Sequence, residues 1–170
     1  MKLSKLIPLF ILSALLLAAC AAGPTAAPTT PTAEAASDVA RAEETLTTFF
    51  AMLHEGQYGE ASTYYGGTYD ELGAFVAPTI ALDEHEKIWE TVCAGLLKCL
   101  PVRNVVSAEQ RGPDEFVFVV EFSNEDGTLF ELGPCCGATE EEMPTQSQFT
   151  YTVMKTGDQF TVLNPPVYVP

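Results

Sequence analysis

The chain has 170 residues, with 23 acidic against 8 basic side chains and a formal net charge of −15. That surplus repels phosphate backbones and anionic head groups, so it argues against a nucleic-acid partner and against membrane binding through a basic patch. The length suits one domain with a real core rather than several domains.

Lys2 and Lys5 make a short positive start, and Leu6 to Leu17 an apolar run broken only by Pro8 and Ser13. Leu17-Ala18-Ala19-Cys20 then places small residues before a cysteine. The run is short for a membrane span, which takes ~20 apolar residues. This order of parts resembles a bacterial lipoprotein signal peptide. The resemblance implies removal of residues 1–19, a diacylglycerol on the Cys20 thiol, and export to a lipid-anchored position at the cell surface or on the periplasmic face. One acyl chain holds weakly and two or more hold firmly. Residues 20–37 carry that cysteine and an Ala, Pro and Thr-rich stretch with nothing large to bury. They read as a disordered tether, which leaves 38–170 as the folded domain.

Ser37 or Asp38 is placed to cap a first helix, with Glu43 and Glu44 near its positive end. Ala42, Leu46, Phe49, Phe50 and Leu53 recur at helical spacing, and Gly56 ends the helix. A short helix is predicted over 58–65, closed by Gly66-Gly67. A further turn of helix spans 68–76 and breaks at Pro78. Asp83 to Glu86 reads as a capping box for a helix whose buried stripe is Ile88, Trp89, Val92 and Cys93. After Pro101 the period changes to two. Strands are predicted over 102–110, 116–122, 128–132, 148–155 and 159–163, with turns at 111–114, 125–127 and 156–158. Pro165 and Pro166 end the sheet. Helices followed by an antiparallel meander make an α+β fold.

The stretch Phe49-Phe50-Ala51-Met52-Leu53, then Glu55-Gly56-Gln57-Tyr58-Gly59-Glu60-Ala61, resembles the opening of nuclear transport factor 2-like proteins. Phe149 to Val153 and Phe160 to Leu163 fit the last two strands of that family. The resemblance covers about residues 38–170 and rests on layout more than on a diagnostic motif. It implies N-terminal helices packed on a bent antiparallel sheet, a cone with a cavity, and pairing of two copies through the outer sheet face. The family includes isomerases and dehydratases. Tyr64, Tyr65, Tyr69 and Asp70 match no motif of those enzymes position by position, so no catalytic role is carried over.

Cys93, Cys99, Cys135 and Cys136 remain once Cys20 is assigned to lipid. In an exported protein they point to two disulfides, with three connectivities open. The long-range pairings are favoured, because each closes about 40 residues and contributes up to about 4 kcal/mol in the chain-entropy model. Cys93–Cys99 with a vicinal Cys135–Cys136 bond closes only short loops. The spacing departs from zinc-ligand patterns, so no metal is assigned. Asp83, His85 and Glu86 read as a solvated helix start, His54 as a cation near a helix C-terminus, and Glu140-Glu141-Glu142 as a solvated turn. No Ser-His-Asp set, phosphate loop or dinucleotide fingerprint is visible, so no catalytic residue and no cofactor is assigned. Phe49, Phe50, Tyr65, Trp89, Phe116 and Phe118 are the residues that would line a cone cavity for a small apolar ligand. The expectation is a non-catalytic envelope lipoprotein that binds such a ligand or a protein partner. The alternatives are an isomerase or dehydratase using the cone, or a module that dimerises through its sheet.

Overall fold

A computed structural model describes residues 33–76 and 79–169. The expected signal segment 1–19, the lipidation site Cys20 and tether residues up to 32 lie outside the described residues, as does Pro78.

Helix α1 runs Ala33–His54. Its stripe of Ala42, Leu46, Phe49, Phe50 and Leu53 is buried throughout, as the 3.6-residue period requires. The helix begins ahead of Ser37 and Asp38, so neither is its cap. Asp38 instead sits buried inside the helix and accepts a hydrogen bond from Lys155 Nζ at 2.5 Å, with Arg41 Nη1 at 3.7 Å. At the other end Gly56 takes φ 76, and the Gln57 N–H reaches back to the Met52 carbonyl at 2.8 Å. That is a Schellman stop, which glycine makes without a Cβ clash.

Helix α2 (Tyr58–Ala61) tightens into a 3-10 turn over Ser62–Tyr64. Tyr65 then bridges Val162 in parallel, and Gly66 N donates to Val162 O at 2.9 Å. Helix α3 is Tyr69–Val76 and α4 is His85–Gly95, with Ile88, Trp89 and Val92 buried. The expected Asp83 capping box does not form. Glu84 is the N-cap and makes no side-chain cap bond. Its carboxylate takes the Ala81 N–H at 3.3 Å and the Lys87 ammonium instead, because a Glu side chain reaches back into the preceding turn.

Strand β1 (Leu97–Lys98) follows α4 at once and pairs antiparallel with β6 (Val167–Tyr168) in a small sheet of its own. The main sheet is an antiparallel meander of β2 (Val102–Gln110), β3 (Glu115–Phe122), β4 (Phe149–Thr156) and β5 (Gln159–Val162), in that order. Register shifts fall between Val102 and Asn104 and between Val105 and Ser107. Each inserts one residue, so Val102 and Val105, three apart, pair with Phe122 and Val120, which are both buried. The strand expected over 128–132 is reduced to bridges, Ser123 with Leu129 and Leu132 with Gln146. The reason is topological: β3 has β2 on one side and β4 on the other, so a returning strand finds no open edge.

The helices cover one face of this sheet, giving the α+β layout. Aromatic rings fill the interface. Phe50 meets Phe122 and Tyr151 at 4.9 and 4.8 Å between centroids, and Phe49 meets Phe50 and Trp89 at 5.2 and 5.6 Å. These are edge and tilted contacts, the arrangements the ring quadrupole favours.

Candidate functional site

The six aromatics expected to line a cavity are all buried and packed on one another or on neighbouring strands. Phe49 stacks on Tyr65 at 6.1 Å, Tyr65 meets Trp89 at 5.0 Å, and Phe116 meets Phe160 at 5.7 Å. Phe118 is fully buried in the same cluster. These rings act as the filling between helices and sheet. Trp89 Nε1 donates to the Tyr69 hydroxyl at 3.0 Å, and the Tyr69 ring lies flat on His85 at 3.7 Å. Burial raises Tyr65 to about 12 and raises Tyr69 as well, so both stay neutral near neutral pH.

The cysteines correct the sequence reading. Cys93 is bonded to Cys99, with 5.4 Å between Cα atoms, and the long-range pairings are excluded. The loop-length argument counted only the unfolded chain. In the folded chain the end of α4 turns directly into β1 and carries Cys99 back beside Cys93, a Cα spacing suited to a bridge. Cys135 and Cys136 are free thiols, half-buried and exposed, with their sulfurs 2.6 Å apart.

Two adjoining hollows of about 530 and 400 Å³ meet at Lys98, Phe130 and Glu131. Together they make a groove beside β1, running from Asn124 past Phe130 and Leu132 to the cysteine pair. The β1–β6 pairing positions one wall, and Val169 N donates to Leu96 O at 3.1 Å. The other wall is the excursion between β3 and β4. Phe130 N donates to Phe122 O at 2.9 Å, and Leu132 and Gln146 exchange backbone bonds at 2.8 and 2.9 Å. Inside the excursion Asp126 accepts from the Thr128 hydroxyl at 2.6 Å and from Thr128 N at 2.9 Å, which hold its carboxyl below the usual range. Glu140 accepts from the Thr145 hydroxyl at 2.6 Å and from Thr145 N at 3.0 Å, Glu142 from Thr139 N at 2.9 Å and its hydroxyl at 3.1 Å, and these bonds lower both carboxyls. Two acids of the run predicted as a solvated turn therefore brace that turn. The groove combines an apolar floor of Phe130, Leu100 and Leu132 with a charged rim of Lys98, Glu125, Asp126 and Glu131.

A second cleft, about 390 Å³, lies beside α1 and is lined by Arg41, Glu44, Asp158 and Phe160. Its cation is engaged internally: Arg41 donates to Asp158 O at 2.8 Å and covers the Phe160 ring at 4.7 Å. His54 Nδ1 lies 3.2 Å from the Cys99 carbonyl. Among the described residues no group of three or more His, Cys, Asp or Glu is placed to hold a metal. Sequence reasoning missed the groove because it stopped the sheet at Pro165-Pro166. The signal was there in Val167-Tyr168-Val169, an alternating apolar triplet after a proline break.

Compared with protein-family models, curated proteins and solved structures, the chain shows no match.

Proposed function

We propose that the protein is an exported lipoprotein, anchored through Cys20, whose domain binds a partner protein non-catalytically in the cell envelope. The observation that carries the binding reading is the groove between β1 and the β3–β4 excursion, with its apolar floor and charged rim. Such a surface suits an extended segment of a partner with apolar side chains at its centre and charges at its margin. The aromatic filling of the interior favours this over the alternative of a small apolar ligand held in a cone. The nuclear transport factor 2-like relationship belongs to the same proposal, supported by the order of helices and meander.

Three measurements test it. Cys20→Ser should move the protein from the membrane fraction to the soluble fraction, and unchanged membrane association would refute the anchor. A photo-crosslinker at Leu132 in the anchored protein should capture a distinct protein. The same probe at Val106 on β2, 43% exposed and lining neither hollow, should not. Capture of a second copy of this chain from Val106 would favour the dimerising module. A small molecule retained in native mass spectrometry and lost on denaturation would favour the apolar-ligand reading.

A further inference from the structure

We propose that Cys135 and Cys136 form a vicinal redox pair that exchanges with external small-molecule thiols and disulfides. The inference stands whatever the groove binds.

Neither thiol is engaged by the Cys93–Cys99 bridge, and their Sγ atoms are 2.6 Å apart. Neighbouring side chains in extended chain point to opposite sides, so the backbone must bend to bring adjacent sulfurs together. Cys136 supplies the bend at φ 61, the one non-glycine residue with positive φ among those described, and Gly137 follows at φ 91. A cysteine holds that conformation at a cost in backbone energy. The Ala138 N–H donates to the Cys135 carbonyl at 2.9 Å and closes the turn around the pair. The turn thus holds both thiols in mutual reach before any bond joins them. Both also line the 400 Å³ hollow with Lys98 and Leu132, where a small disulfide can approach.

The chemistry follows from exposure. Cys136 is exposed and Cys135 half-buried. Cys136 therefore attacks first. Its thiolate attacks one sulfur of a disulfide RSSR, whose S–S bond breaks. A mixed disulfide forms on Cys136 and RS⁻ leaves. Cys135 then loses its proton to solvent and attacks the Cys136 sulfur. The Cys135–Cys136 bond forms and the second RS⁻ leaves. The pair gives up two protons and two electrons, and RSSR becomes two RSH. Two small thiols drive the reverse. The Cα atoms of adjacent residues are about 3.8 Å apart, below the about 4.4–6.8 Å usual for a bridge, so the closed form is easily reduced.

The test uses the full exported chain, purified in detergent and equilibrated in glutathione buffers of graded ratio, then alkylated and mapped by mass spectrometry. The peptide spanning 135–136 should lose two hydrogens with no lasting glutathione adduct. It should reopen at a ratio at least about tenfold less reducing than Cys93–Cys99 requires. Cys135→Ser should trap a stable glutathione adduct on Cys136, formed faster than the adduct on Cys135 in Cys136→Ser. Persistent adducts on both cysteines of the unaltered chain, or no reaction, would overturn the proposal. So would a pair that opens only together with Cys93–Cys99.

Discussion

Tyr65 and Tyr151 are the residues whose ionisation the fold resists most. Burial raises Tyr65 to about 12, with Tyr69 and Glu71 adding to the shift, and pushes buried Tyr151 still higher. The unfolded chain ionises these phenols near their ordinary value of about 10, so above that pH it binds fewer protons than the folded chain. Their contribution to stability is complete below pH 10 and is lost as pH rises towards 12. Circular dichroism followed with tyrosinate absorbance should therefore show cooperative alkaline unfolding, and Tyr151→Phe should move its midpoint upward. The residue scale is also where the sequence was least legible. Asp38 looks like a helix cap by type and position, and only the folded chain brings Lys155 to it across more than half the sequence. The cysteine pairing failed in the same way: loop length is a property of sequence, but the turn from α4 into β1 that joins Cys93 to Cys99 is not.

Among the elements, the link between the 3-10 turn and β5 tolerates least change. A Cβ on Gly66 would lie 2.8 Å from the Thr161 Cβ, and one on Gly67 would collide with the Leu163 carbonyl and the Tyr65 ring. Backbone cannot withdraw as a flexible side chain can. Gly67→Ala should cost about 1–3 kcal/mol, read as a lowered urea midpoint with an unchanged slope. Elements with strong periodicity were legible. The α1 stripe, the alternating Phe116, Phe118, Val120 and Phe122, and the turns at 111–114 and 156–158 all fold as the sequence reads. The bulges of β2 were not, because inserting a residue erases the period-two pattern that would reveal the strand's inner face. Residues 128–132 look like a strand but make only bridges to Ser123 and Gln146, because β2 and β4 already flank β3.

For the molecule as a whole, the α+β class was readable from the change of period at Pro101, whereas the groove required the pairing of β1 with β6. That pairing is small but holds Leu97 buried, and it packs Val167 and Val169 against the core. Deleting residues 167–170 should cost about 2–4 kcal/mol, the scale of uncovering those side chains, and a thermal or urea melt of the two chains compares them directly. The same pairing sets an order of events. Whether it leaves a ribosome or an export channel, the chain emerges from its amino end, so α1 to α4 and β1 are available early. Leu97 and Lys98 gain their strand partner only once Val167 and Tyr168 have emerged. The helices can therefore gather first, but β1 stays unpaired until β6 arrives.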